Sequence, residues 1–310
     1  MPIGDFISTS EIERETGFSN DLLRKWRQRF GFPLLTATPA GDSAYAKQTV
    51  TDLLLIKRLL ESGLRPAQVV GKTYSELDRL YRAMINDEPD NVWSKTTQRL
   101  IERIINIDVV GFDSILAKER AKASLTEFVL GTVAPLMNAI GEAWSKMEID
   151  IYHERLCTRA VQRLLTTEIA LCKPQRGFPN ILFSTPSDEH HELGLLMAEA
   201  VLSDHGARCF NLGTHTPLKD LRMAAEACKA DVIALSFSFA YPTRKVRPLL
   251  VSLRHQLPDH IEIWVGGSGT GTLKRVPQGV RVFANLQGAI AVLHELALLQ
   301  GCIKSKDGHK

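Results

Sequence analysis

The chain has 310 residues, a formal net charge of +3, 44% hydrophobic and 24% charged residues, values ordinary for a soluble protein with full cores and two or three domains. No apolar run approaches the about 20 residues that cross a bilayer, and Met1-Pro2-Ile3-Gly4-Asp5 lacks the charge and apolar core of a signal peptide, so a cytoplasmic protein with no membrane partner is expected. The five cysteines (Cys157, Cys172, Cys209, Cys228, Cys302) are scattered without a C-x-x-C pair, which excludes a disulfide framework and a zinc site, and the small charge leaves any DNA reader to a local motif.

Ser8-Thr9-Ser10-Glu11 supplies a capping hydroxyl ahead of a short helix, and Gly17-Phe18-Ser19-Asn20 breaks it before a second helix from about 20 to 30. This order predicts a helix-turn-helix. Its second helix sets Arg24, Lys25, Arg27 and Arg29 around Leu22, Leu23 and Trp26, so one side faces a core while the other offers cations to phosphates and base edges. A cationic helix is more often the mark of a plain solvated face, and the residues that follow weigh between the two. They are Phe30-Gly31-Phe32-Pro33, a turn-rich segment to Gly41, Tyr45, a helix from about 48 to 62, Gly63, and a shorter helix begun by Arg65-Pro66.

Together these residues resemble the winged helix-turn-helix domain of the MerR family over residues 5–72, most closely in Leu23-Arg24-x-Trp26-x-x-Arg29-Phe30-Gly31-Phe32-Pro33. For the domain 1–72 the resemblance implies a double-stranded DNA operator as partner, contacted by Arg24, Lys25, Trp26, Arg27, Arg29 and Tyr45. The wing departs from the family: Ala37, Asp42 and Ser43 stand where relatives carry Arg or His, which predicts weaker phosphate contacts.

Residues 73–91 read as a linker, a helix followed by a hinge at Asn86-Asp87-Glu88-Pro89-Asp90. Over residues 92–175 no strand signal occurs, and apolar residues recur three and four apart: Leu100, Ile104, Ile107; Phe112, Ile115, Leu116; Val129, Val133, Leu136, Met137, Ile140. Four or five amphipathic helices forming a small bundle are expected there.

Residues 176–300 alternate short apolar strands, at 180–184, 207–212, 231–237, 261–265 and 281–284, with helices at Leu193–His205, Pro217–Ala230, Pro242–Gln256, after Gly271, and at Leu286–Leu299. Such alternation predicts a Rossmann-like parallel sheet covered on both faces, followed by a frayed tail at 301–310. Three polar groups fall at strand ends: Glu189-x-His191-x-x-Gly194, Ser236-x-Ser238, and Gly266-Gly267. The carboxyl edge of an open α/β sheet is where ligands bind. Imidazole is a good ligand for a transition metal, and a carboxylate two residues away can hold its other nitrogen and raise its basicity. Paired glycines admit a bulky ligand close to the backbone. His190 is the neighbouring competitor but lacks the spacing to Glu189 and Gly194, and His215, in Gly213-Thr214-His215-Thr216-Pro217, reads as a loop histidine.

The three pieces at this spacing resemble the signature of the cobalamin-binding Rossmann-like domain. The resemblance implies that His191 replaces the benzimidazole as lower cobalt ligand, with Glu189 behind it, while the nucleotide tail lies beside Gly194, Ser236, Gly266 and Gly267; Ser238 occupies a position where the family usually has Leu. The preceding bundle then corresponds to the family's four-helix cap over the corrin. Within it, Trp144, nine intervening residues, and Glu154 resemble the upper axial pocket of light-sensing regulators of the CarH/LitR type, but Arg155 stands in place of a His, and Ser145 where some relatives have another. There Trp144 would stack over an upper ligand, Glu154 would accept from ribose hydroxyls, and Arg155 would pair with a carboxylate; the plain alternatives are core packing for Trp144 and a core or exposed place for His153.

The expectation for the whole chain is therefore a multidomain, non-enzymatic transcriptional repressor that binds adenosylcobalamin, responds to light and assembles as a homodimer or homotetramer. Two alternatives stand beside it: a corrinoid-binding shuttle or methyltransferase subunit, and a regulator whose altered pocket takes another ligand.

Overall fold

Ser8 and Ser19 start the first two helices of the computed structural model, which describes residues 6–37, 43–61, 64–85, 93–145, 148–172, 178–238, 241–271, 273 and 275–307. Ser8 accepts from the Glu11 amide and forms a capping box with it, starting α1 (Thr9–Thr16); Ser19 accepts from the Leu22 amide, starting α2 (Asn20–Phe30). Both helices stop at a glycine with φ 73°, Gly17 and Gly31, a left-handed conformation that side chains resist. Strands β1 (Phe6–Ile7), β2 (Thr36–Ala37) and β3 (Ser43–Ala46) form an antiparallel sheet in the order β1-β3-β2. Helices α3 (Gln48–Glu61), α4 (Pro66–Val69) and α5 (Tyr74–Ile85) follow. Leu23, Trp26, Tyr45, Leu53, Ile56, Leu59 and Leu77 share one core. Helix α5 packs on α3 through Leu77, with Leu80 and Tyr81 on the same apolar face, so most of the stretch expected as linker belongs to this core. The expected hinge at Asn86–Asp90 and the wing residue Asp42 lie outside the described residues.

By its contacts the chain divides into two units, Met1–Val92 with Glu142–Glu148, and Trp93–Gly141 with Ile149–Lys310. From 93 to 172 the chain is helical: α6 (Lys95–Ile105), α7 (Val109–Arg120), α8 (Leu125–Phe128), a π-helical segment Val129–Val133 leading into α9 (Ala134–Ser145), and α10 (Ile151–Leu171). The amphipathic spacing expressed in Leu100, Ile104, Phe112, Val129, Val133, Leu136 and Ile140 is reflected in their burial.

The sheet contains β4 (Asn180–Ser184), β5 (Arg208–Asn211), β6 (Val232–Ser236), β7 (Glu262–Gly266) and β8 (Val280–Val282), all parallel, in the order β5-β4-β6-β7-β8. Helices α11 (Leu193–Asp204), α12 (Leu218–Ala227), α13 (Thr243–Gln256) and α14 (Leu286–Asp307) connect or follow the strands. Strand residues alternate between faces. Leu182, Ile233, Leu235 and Ile263 pack with Leu221 of α12 and Val246, Leu250 and Leu253 of α13. Ile181, Phe183, Ala234 and Trp264 pack with Leu195 and Leu202 of α11 and Ala289 and Leu293 of α14. Helices α8 and α10 lie against α11.

Winding reverses around β4: the chain passes from β4 to β5 on one side and then to β6 on the other. The switch point between β4 and β6 is where such sheets bind ligands. Register aligns Ser184 with Leu235 and Ser236 with Gly266, which brings the ends of β4, β6 and β7 to one rim.

Two boundaries differ from expectation. The helical turn expected after Gly271 precedes it, at Ser268–Thr270, because Gly267 with φ 100° turns the chain directly off β7. The last helix runs to Asp307 rather than ending at Leu299, since Gly301 is tolerated inside a helix and no proline stops it. Among the described residues no helix is long and apolar enough to cross a membrane.

Candidate functional site

The turn after β4 is built to bury one carboxylate. Thr185 Oγ1 donates to the Glu189 carbonyl at 2.7 Å, the Glu189 amide donates to the Pro186 carbonyl at 3.1 Å, and Asp188 takes a left-handed φ of 70°. Glu189 is thereby folded inward to 1% exposure. Its Oε1 accepts from the His191 amide at 2.9 Å and lies 2.7 Å from His191 Nδ1; its Oε2 accepts from the amide and the hydroxyl of Ser238, both at 2.8 Å. A buried carboxylate is costly unless its lone pairs are satisfied, and these four contacts satisfy them. Burial pushes the Glu189 carboxyl up, but hydrogen bonds from His191 and Ser238 outweigh it and hold the group below its ordinary range.

Ionised Glu189 can only accept, so His191 Nδ1 carries the proton of that bond and Nε2 is the ring nitrogen suited to a metal. The His191 side chain is 57% exposed at the rim. Its basicity is raised by the hydrogen bond to Glu189, against burial, with the charges of Glu189 and of Glu154 adding to it. Glu154, half-buried on α10 and accepting from Thr158 Oγ1 at 2.8 Å, thus acts on the same rim from the helical side. Gln162 of α10 donates to Glu192 at 3.3 Å, beside the loop that carries His191.

Beside His191 the loops run close together. A Cβ on Gly194 would sit 3.2 Å from Ser236 Oγ, and one on Gly267 would fall 2.3 Å from the Phe237 carbonyl. At Gly266 the nearest atom to an added Cβ is the Phe283 carbonyl at 4.0 Å, an ordinary contact distance. An imidazole nitrogen presented at the rim, with its other nitrogen held by a buried carboxylate, is a donor that suits a transition-metal cofactor. Ser238, noted in the sequence as a departure, places its hydroxyl 3.0 Å from His191 Nδ1 as well as on Glu189. Its small polar side chain is what the crowded carboxylate needs.

His190, His215 and His153 have contacts of their own. His190 stacks on His215 with centroids 4.8 Å apart, and His215 Nδ1 accepts from the Asp188 amide at 2.9 Å. His153 is 7% exposed, and its Nδ1 accepts from the Asp150 amide at 3.1 Å, capping α10. Arg155 is exposed and makes no ion pair among the described residues, so the expected carboxylate partner is not found. Trp144 is half-buried on the last turn of α9, in the segment Glu142–Glu148 that groups with the first unit, and the side chain of Ser145 lies outside the described residues.

On α2, Arg24 and Lys25 are exposed, Arg27 is half-buried, and the Arg29 guanidinium lies 5.2 Å from the centre of the Phe30 ring. Trp26 and Tyr45, expected among the DNA contacts, are 5% and 1% exposed. They are core residues: Trp26 lies three positions from buried Leu23 and packs edge-on against Phe18 at 4.9 Å. Asp21 and Gln28 share the exposed side of the same helix, at a spacing from Arg24 and Lys25 that the sequence itself carries.

Residues 7–73 match the MerR HTH family regulatory protein, and residues 96–167 and 179–282 each match a B12 binding domain. The chain is similar to the HTH-type transcriptional repressor CarH of Myxococcus xanthus, 26% identical over 281 residues that span 86% of this chain and 90% of that protein. It is also similar to the HTH-type transcriptional repressor CarA of the same organism, 26% identical over 265 residues, 83% of this chain and 85% of that one. Among solved structures, the Methanosarcina barkeri monomethylamine corrinoid protein shares the fold, with a TM-score of 0.51 and 17% identity, covering 62% of this chain and 94% of that chain.

Proposed function

We infer that this chain, a cobalamin-sensing transcriptional regulator with a MerR-type helix-turn-helix and B12 binding domains, represses by holding a DNA operator while adenosylcobalamin is bound, and releases it in light. The observation that carries the reading is the buried Glu189 gripping Nδ1 of a rim-exposed His191. His191 would hold cobalt from below through Nε2, with Glu189 and Ser238 fixing the ring. Gly194, Ser236, Gly266 and Gly267 would line the groove for the nucleotide tail. The helices between residues 93 and 172 would cap the upper face as a four-helix bundle, Glu154 accepting from ribose hydroxyls, with Arg155 beside the upper ligand. Adenosylcobalamin supplies, when bound, a cobalt–carbon bond that light cleaves.

Residues 1–72 together with α5 would form the winged reader, with β2 and β3 as the wing, 92–175 the cap and 176–300 the cofactor domain. A reader with a wing poor in cations binds weakly alone, and a homodimer or homotetramer on repeated half-sites gains by effective concentration. The protein acts in the cytoplasm, where its operator lies, and turns over no substrate. A second reading, a corrinoid carrier for methyl transfer, has the shared corrinoid-protein fold in its favour but gives residues 7–73 nothing to do.

The test is a titration with adenosylcobalamin in darkness, followed by gel mobility of a promoter duplex before and after illumination. The expected result is a cofactor-dependent shift that light abolishes. Cofactor binding without any response of the duplex would instead favour the carrier.

A further inference from the structure

Among the exposed residues of α2, Asp21, Arg24, Lys25 and Gln28 share one side. At 3.6 residues per turn they fall within one arc about 100° wide, opposite the buried Leu23 and Trp26. A helix that lies in the major groove reads base edges with residues near its amino-terminal end. One member of this face is ill suited to a field of phosphates: Asp21, in the first turn, carries a carboxylate. It also holds both cations of the face, Oδ1 at 2.6 Å from Arg24 Nη2 and Oδ2 at 2.7 Å from Lys25 Nζ.

Duplex DNA carries one negative charge per about 1.7 Å of axis. A carboxylate docked against it is repelled unless a donor meets it, and the Arg24 and Lys25 donors turned towards Asp21 are withheld from phosphates. Such exposed pairs are weak in water, but the groove removes the water that screens them. Among base edges in the major groove, cytosine alone offers an amino group with no acceptor beside it; adenine sets N7 next to its amino group, and guanine and thymine present acceptor oxygens. Specificity gained by repelling the wrong partner is a general device.

We propose that Asp21 is a selectivity residue of the DNA reader: it withholds Arg24 and Lys25 from unrelated duplexes, and on the operator it accepts from a cytosine N4 amino group, releasing both cations to neighbouring guanine or phosphate. The proposal rests on the reading of residues 7–73 as the DNA-binding domain. Gln28, two turns along the same face, extends it towards adenine, the base whose N6 and N7 a Gln amide matches.

The experiment selects duplexes from a random-sequence pool with the full chain, in darkness with adenosylcobalamin, for wild type, Asp21→Asn and Asp21→Ala, and then measures affinity for a selected and an unrelated duplex against salt. Asp21 is a surface side chain, 53% exposed, so both variants are expected to fold. Wild type should enrich a C·G pair at one fixed place in each half-site, and both variants should lose that preference while keeping the rest. Their affinity for the unrelated duplex should rise, with a log–log salt dependence steeper by up to about 2, one for each cation freed to a phosphate. The same consensus and the same salt dependence in wild type and variants would overturn the proposal. Wild type that enriches no sequence at all would instead overturn the DNA-binding reading beneath it.

Discussion

Glu189 and His191 meet at 2.7 Å, the carboxylate almost wholly buried at 1% exposure and the imidazole it holds 57% exposed. The pair joins a fixed anchor to a presented imidazole. The anchor is fixed because Ser238 fills the second carboxylate oxygen through both its amide and its hydroxyl. A ring held in this way offers one tautomer and one orientation before any metal arrives, and partners that hold a metal-ligating His are worth about 10–100-fold in affinity.

Glu189→Gln keeps the shape of the side chain and removes its charge, and the amide must turn an N–H towards one of the groups it faces. Affinity for adenosylcobalamin, measured by visible absorption titration in darkness, is expected to fall by about 10–100-fold. Affinity equal to wild type would show that the pair does not hold the ligand.

Glu199, on α11, is a second buried carboxylate with a different balance. It is 7% exposed, and burial raises its pKa against the hydrogen bond from Asn211 Nδ2 at 2.5 Å, with the charge of Glu192 raising it further. A folded-state pKa above the unfolded value means the folded chain binds more protons in the window between them, so stability falls as pH rises from about 4.5 through the raised value. Urea denaturation of wild type and Glu199→Gln across that window should show this slope flattened in the variant, whose Gln oxygen still accepts from Asn211. An unchanged slope would assign the effect to other groups.

His153 is the imidazole nearest in sequence to Glu154, and its Nδ1 is committed to capping α10. Absorption spectra after illumination of the adenosylcobalamin complex are expected to be the same for wild type and His153→Ala, with no bis-histidine form in either. The substitution should cost about 0.5–2 kcal/mol of stability through the lost cap. A bis-histidine spectrum that vanishes in the variant would place His153 on cobalt.

Trp26→Ala removes a large side chain from the core of the DNA reader and should cost about 3–5 kcal/mol in denaturant unfolding. Its loss of DNA binding should track unfolding of that domain. A folded variant with weakened binding would put Trp26 on the DNA after all.

The rim was legible in the sequence because its three pieces sit at fixed spacings after three apolar strands, and parallel register then forces them together: Ser236 beside Gly266, and β4 beside β6. The capped helices were legible for the same local reason, a Ser before each and a Gly after. What depends on partners distant in the chain was not. Tyr45 follows a turn and reads as a DNA contact, yet β1 and β3 pair through Ile7 and Tyr45 and carry its ring into the core. Ser238 read as a mismatch until Glu189, 49 positions earlier, was seen to take both its amide and its hydroxyl. Leu77 was set in a linker because charge surrounds it in sequence, and only α3 shows what its helix packs against.

The most direct measurement is made on His191→Ala beside wild type: visible absorption on titration with adenosylcobalamin in darkness, and gel mobility of a promoter duplex in the same samples. The account holds that wild type gives the spectrum of cobalt ligated by histidine together with a dark shift of the duplex, and that the variant loses both while remaining folded. A variant that binds with the wild-type spectrum and still holds the duplex in darkness would contradict it.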